Sequence, residues 1–264
     1  MQLSKSIGKG INNLVWHRGT HSRERWQGPR NLHFVIIGVL LVFLAGLDVF
    51  VFSRHHSSAQ SSQVSVSGIP SNLSISLADL MALAPTSNIS APNFTLTDQN
   101  GRTLSLSSFR GHAVVLDFMD PNCTDICPLV SEEFINAYRD VGRNASNVDF
   151  VAVNVNKFHL ATAEVKSFTD AHGLNQISNW HFFTGSLATL QPVWRQYGIY
   201  VSAISPAADV IHSSTIYFID SLGHERYIGT PTDYHTPQGT AYLPQSQLTA
   251  WGSGIAVVAR DLIK

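Results

Sequence analysis

The chain has 264 residues, of which 44% are hydrophobic and 13% are charged, and its formal net charge is -1. The apolar share supports a packed core, and the length allows one domain of about 150–200 residues with an additional segment. A charge this close to neutral argues against nucleic acid as a partner, because proteins that bind nucleic acid usually carry a strong positive field.

An apolar segment near the amino terminus predicts a membrane anchor. Residues 34–52 contain a single charge, Asp48, and are long enough to cross the hydrocarbon core as a helix. Residues 1–33 form a basic leader, with far more lysine and arginine than acid. The positive-inside rule therefore places the amino terminus in the cytoplasm and the rest of the chain outside, in a single pass. A cleaved signal peptide would show a small-residue cleavage site, which is not seen. The membrane is a bacterial plasma membrane or, alternatively, a mitochondrial inner membrane.

A serine-rich stretch, residues 53–90, follows the anchor and is interpreted as a spacer that holds a domain away from the bilayer. The remaining residues, 91–264, are predicted to form that domain. They begin with a hairpin, in which two alternating segments flank Asp98-Gln99-Asn100-Gly101.

The chain contains two cysteines, Cys123 and Cys127, and they lie close together. They follow a predicted buried strand at 113–119 and precede a predicted helix at 129–141. A spacing of four places both sulfurs on one helical face if the second cysteine opens the helix. The start of a helix also stabilises thiolates, because its N–H groups are unpaired. The pair therefore predicts a redox or metal site, with a purely structural disulfide as the alternative.

Strands and helices continue to alternate after the cysteines. Further strands are predicted at 149–155, 215–219 and 225–228, and further helices around 165–172, 187–197 and 248–263. This order indicates an α/β or α+β sandwich built on one central sheet.

Two separated segments give the domain a family resemblance. CTDICP at 123–128 and HSSTIYFID at 212–220, behind one membrane anchor, together resemble the Sco/SenC family of membrane-tethered copper proteins that serve cytochrome c oxidase assembly. The resemblance covers about residues 90–264. It implies an α/β fold of the thioredoxin-like kind, with a central mixed sheet flanked by helices.

The resemblance also implies a copper site formed by Cys123, Cys127 and His212, for Cu⁺ or Cu²⁺. Two thiolates and an imidazole suit soft copper(I), and the oxidised Cys123–Cys127 disulfide would bind metal poorly. Asp209 is a candidate acceptor for the second ring nitrogen of His212. The implied function is a copper chaperone rather than an enzyme, and the implied partner is the copper-bearing subunit of cytochrome c oxidase or another copper chaperone.

Two questions stay open at this level. The chain could instead be a thiol-disulfide reductase that keeps the copper-site cysteines of an oxidase subunit reduced, although dedicated exchangers usually use C-x-x-C. Residues 229–245 are longer and richer in proline, glycine and aromatics than the family leads us to expect. They are interpreted as an insertion, with partner docking as the alternative, and His235 within them is a candidate fourth ligand.

Overall fold

The computed structural model describes residues 68–208 and 210–263. The predicted anchor at 34–52, the basic leader, the first part of the spacer and Asp209 lie outside the described residues. None of the helices formed by the described residues combines the length and the hydropathy needed to cross a bilayer.

The described residues form a mixed central sheet of six strands. Its order is β1 (Ala84–Pro85), β10 (Glu225–Gly229), β9 (Ile216–Ile219), β4 (Ala113–Met119), β5 (Val148–Asn154) and β6 (Trp180–Phe183). Strands β4, β5 and β6 run parallel, whereas β9 is antiparallel to β4, and β10 and β1 continue antiparallel from it. The strand that follows His212 therefore lies beside the strand that precedes the cysteines.

Helices cover both faces of this sheet. They are α1 (Ile75–Leu80), α2 (Ile126–Val141), α3 (Thr162–Ala171), α4 (Leu187–Gln196) and α5 (Gln245–Leu262). Successive residues of a strand point to opposite faces, so Val115 and Met119 join α2, α3 and α5 in one apolar cluster. Leu116 and Phe118 point the other way and pack with α4. The result is a helix–sheet–helix sandwich, which confirms the predicted α/β class.

The described residues also form three hairpins outside the six-stranded sheet. The predicted one pairs β2 (Thr95–Thr97) with β3 (Thr103–Ser105), and Gly101 in its turn has a φ of 78°, which favours glycine. The others pair β7 (Val201–Ser202) with β8 (Ile211–His212), and β11 (Tyr234–His235) with β12 (Ala241–Tyr242). The last hairpin gives regular structure to the segment at 229–245.

The folded part of the chain begins before residue 91. Helix α1 and strand β1 belong to the stretch that the sequence assigns to the spacer, yet β1 pairs with β10 at the edge of the central sheet. Met81, between them, is completely buried and packs with the α2–α5 face. Burial of this side chain ties the second half of the serine-rich stretch to the domain.

Candidate functional site

The two cysteines lie at the junction of β4 and α2. Cys123 is half-buried in the turn before the helix, and Cys127 is buried in its first turn. Both are free thiols, and the amide of Cys127 donates to the Sγ atom of Cys123 over 3.3 Å. Pro128 occupies the first turn, where a missing N–H costs nothing. The strand, turn and helix follow the order that the sequence predicts, and the structure adds that the first cysteine is half-exposed while the second is covered.

The surroundings make the two thiols unequal. A hydrogen bond from the Cys127 thiol lowers the pKa of Cys123, helped by the amides of Cys127 and Asp125 and opposed by burial. The same contact raises the pKa of Cys127 well above its ordinary value, and burial raises it further. Of the two thiols, Cys123 is therefore the more easily deprotonated, and hence the better nucleophile or first metal donor, while Cys127 holds its proton more tightly.

A buried polar contact joins the cysteine turn to the loop after β5. Asp120 Oδ1 accepts hydrogen bonds from the amide of Asn122 and from Asn156 Nδ2, over 2.8 and 2.9 Å. Asn156 Oδ1 in turn accepts from the amides of Phe158 and His159. Asn156 is thus a structural organiser of this end of the sheet, which the sequence analysis did not single out.

His212 has one ring nitrogen engaged, and its other nitrogen has no hydrogen-bond partner among the described residues. Its Nδ1 lies 3.0 Å from the carbonyl oxygen of Ser213, and because a carbonyl only accepts, Nδ1 carries the proton. Burial lowers the pKa of His212, although the Ser213 carbonyl and the negative charge of Asp120 act in the opposite direction. The ring is therefore neutral at neutral pH, with the lone pair of Nε2 free to bind a metal or a proton.

One cleft brings the two segments together. It has a volume of about 260 Å³ and is lined on one side by the cysteine turn and on the other by the β8 strand, at Asp120, Cys123, Thr124, Asp125, Ile126, Val210, Ile211, His212 and Ser214. Cys127 lies behind the wall of this cleft. In this conformation, the donor atoms of Cys123, Cys127 and His212 are not gathered within 4.8 Å of one another, so the sequence-predicted set is near but not assembled.

His235 has a different set of partners. Its Nε2 lies 3.1 Å from Asp125 Oδ1, and its Nδ1 lies 3.5 Å from Asp233 Oδ2. These three residues form the one cluster of metal-ligating donor atoms within 4.8 Å that the described residues contain. Asp125 precedes α2 but makes no capping hydrogen bond from its side chain. The segment at 229–245 therefore contacts the cysteine turn through Asp125 rather than through a sulfur.

Two buried carboxyl groups lie beneath the cysteines and escaped the sequence analysis. Asp117 points from β4 toward α2, and burial raises its pKa to about 8, with the negative charge of Cys123 adding to the rise. Glu133, on α2, has its pKa raised well above the ordinary range by burial and by Asp117. The sequence did contain a signal for Asp117, because it is an acid within the apolar run AVVLDFM and lies six residues before Cys123.

The fold and this junction define a class of protein. A mixed sheet with helices on both faces, and a dithiol between a central strand and the following helix, describe a thioredoxin-like dithiol protein. The SCO1/SenC family model matches residues 84–241, which is more than half of the chain. The chain belongs to the SCO1/SenC family.

Individual relatives agree with this assignment. The SCO1 protein homolog of Bacillus subtilis is 24% identical over 157 residues, which are 59% of this chain and 78% of the relative. The thiol-disulfide oxidoreductase ResA of the same organism is 34% identical over 85 residues, which are 32% of this chain and 44% of ResA. The structure of Bradyrhizobium japonicum ScoI with copper bound superimposes with a TM-score of 0.51 at 20% identity, over 66% of this chain and 99% of ScoI. This last likeness shows the fold.

Proposed function

We propose that the chain is a membrane-anchored copper-binding protein that delivers copper to the copper-bearing subunit of cytochrome c oxidase during assembly. The observation that carries the proposal is the cleft that Cys123 and His212 line together. A thiolate and a neutral imidazole, with a second thiol one helical turn behind, are donors that soft copper(I) prefers. Family membership supports the same assignment, because the related ScoI structure contains copper.

Binding would require a small movement within the cleft. The cleft separates the hairpin that carries His212 from the cysteine turn, so the two sides would have to approach each other for both to bind one ion. Copper would displace the proton of Cys127, since a metal-bound thiol is deprotonated. Release to a partner would proceed by ligand exchange with thiolates of the recipient, and a half-exposed Cys123 is accessible to such an exchange.

Redox state would control loading. Oxidation joins the two sulfurs in a disulfide and releases two electrons and two protons to an oxidant, which removes both sulfur donors. Residues 34–52 would hold the domain at the outer face of the membrane. Alkaline washing of membranes tests this point: the intact chain should stay in the pellet, and a chain that lacks residues 34–52 should be released.

Copper titration of the full chain in detergent micelles tests the main proposal. The reduced chain should bind one copper ion with spectra that report sulfur ligation, and the oxidised chain should bind far more weakly. Cys123→Ser, Cys127→Ser and His212→Ala should each weaken binding at least roughly tenfold, about 1.4 kcal/mol. His224→Ala, in the turn between β9 and β10, is the matched control. Copper retained equally by all of these variants would contradict the proposal.

A thiol-disulfide reductase is the second candidate, and the inequality of the two thiols favours it. Cys123 would attack a partner disulfide and form a mixed disulfide, which Cys127 would resolve, leaving the partner reduced and Cys123–Cys127 oxidised. An external dithiol reductant would have to restore the pair. Residues 213–215, before β9, lack the proline that thioredoxin-type exchangers carry there. Rapid turnover in an insulin-reduction assay, combined with weak copper binding, would favour this role.

A further inference from the structure

His159 connects three elements around the end of the sheet. It lies in the loop between β5 and α3, and its Nδ1 is 2.6 Å from Glu164 Oε1 in the first turn of α3. Its Nε2 is 3.1 Å from the carbonyl oxygen of Pro206, in the connection between β7 and β8. The second carboxylate oxygen of Glu164 accepts from the amide of Ala161, so the acid is held in place.

These contacts require a charged ring. A carboxylate and a carbonyl are both acceptors, so each ring nitrogen must donate, and only the imidazolium has two N–H groups. The Pro206 carbonyl and then Glu164 raise the pKa of His159, while burial opposes them and the charge of Asp120 adds to the rise. Glu164 from α3 and Asp120 from the turn after β4 are the charged groups that act on the ring among the described residues.

The contact with Pro206 matters because that connection belongs to the hairpin of His212. The β7–β8 ladder has two residue pairs, Val201 with His212 and Ser202 with Ile211. At its base, Tyr200 and Ser213 exchange hydrogen bonds. Ile204, near its tip, is 91% exposed. Two residue pairs stabilise a hairpin only weakly. A contact at the tip therefore contributes much to keeping the hairpin ordered.

We propose that His159, as an imidazolium, holds the tip of the β7–β8 hairpin and thereby positions His212 at the cleft. The assignment of His212 to copper rests on the proposed function, whereas the order of the hairpin does not. His159 gains partners on folding, so the contact is complete below the ordinary histidine pKa of about 6.5 and is lost as the pH rises through the raised value. Acid conditions therefore order the hairpin, and alkaline conditions free it.

The test uses the metal-free, reduced full chain in detergent micelles, labelled with ¹³C in histidine and ¹⁵N in isoleucine. NMR spectra over the pH range give the midpoint of the His159 ring and the shifts of the Ile204 and Ile211 amides. In the unmodified chain, the three signals should share one midpoint, above about 6.5. In Glu164→Gln the shared midpoint should fall, and in His159→Gln the titration step of the two amides should disappear.

His172→Gln is the matched control, since that ring packs against Phe168 at the other end of α3, and it should leave the amide titration unchanged. Amides of Ile204 and Ile211 that titrate identically in His159→Gln would overturn the inference. Copper titration of the same variants at acid and alkaline pH separates the two proposals. If neither the unmodified chain nor any variant binds copper, but the His159 ring and the two isoleucine amides share one midpoint, the proposed function fails and the positioning role of His159 remains.

Discussion

The side-chain amide of Asn156 donates to Asp120 Oδ1 over 2.9 Å, although 36 positions separate the two residues. Both side chains are almost fully buried. Asp120 belongs to the turn that leads into Cys123, and Asn156 belongs to the loop that leads into His159. One hydrogen bond therefore couples the turn that leads to Cys123 to the loop that contacts the hairpin of His212.

Asn156→Ala should destabilise the domain. The substitution removes the donor to Asp120 and the acceptor for two backbone amides, and each buried group left unpaired costs about 1–3 kcal/mol. Urea unfolding of the reduced chain in micelles should give a free energy of unfolding lower by roughly 2–4 kcal/mol. Asn144→Ala, an exposed asparagine in the segment Gly142–Asn147, should stay within about 0.5 kcal/mol. Equal stability of the two variants would show that the Asn156 contacts contribute little.

The two cysteines should differ in reactivity. Both fall on one tryptic peptide, so the single variants Cys127→Ser and Cys123→Ser separate them. The rate at which iodoacetamide alkylates Cys123 should rise with pH, with a midpoint below the ordinary cysteine pKa of about 8.5. Cys127 should react at least roughly tenfold more slowly, because it is buried and its pKa is raised. Mass spectrometry of the intact chain measures both rates. Faster alkylation of Cys127 would reverse the assignment of the thiolate.

Asp117→Asn should flatten the pH dependence of stability. The folded-state pKa of Asp117 is raised to about 8, so the folded state binds more protons than the unfolded state between the ordinary value and about 8. The stability that this group contributes is complete below about pH 4. Between about pH 4 and 8 it falls by up to about 1.4 kcal/mol for each pH unit. Urea unfolding at several pH values checks this. Asp79→Asn, an exposed acid on α1, should keep the original slope, and an unchanged slope in Asp117→Asn would contradict the assignment.

Gly252→Ala should weaken the packing of α5 on α2. Alanine favours a helix interior by about 1 kcal/mol over glycine. A Cβ atom at position 252 would, however, lie 2.4 Å from Asn136 Cβ and 3.0 Å from the backbone nitrogen of Ala137. Because the helices must separate, the overlap outweighs the propensity and stability should fall by roughly 1–3 kcal/mol. Ser246→Ala, exposed on the same helix, is the control. Stabilisation by Gly252→Ala would show that the two helices move apart freely.

Secondary structure was predictable in segments that are long enough to show a recognisable apolar run or helical period. The seven-residue strands β4 and β5 and the long helices α2 and α5 lie within a few residues of their predicted bounds. Strand β6 was missed because it has only four residues, and so short an apolar run cannot be assigned to a strand or a helix from its pattern. The two-residue strands β1, β7 and β8 are too short to have a period, and tertiary contacts alone define them.

The local chemistry of the thiol pair follows from the order of residues in one strand, one turn and one helix, so reading the chain was enough to find Cys123 and Cys127. Their inequality required the packed structure, because burial and a single hydrogen bond decide which sulfur keeps its proton. The neighbours supplied from distant positions, at Asn156 and His159, were also beyond sequence reasoning, and so was the contact of His235 with Asp125 in place of a sulfur. No local pattern encodes them, since they meet the cysteines and His212 only when the parallel and antiparallel halves of the sheet bring their loops to one end.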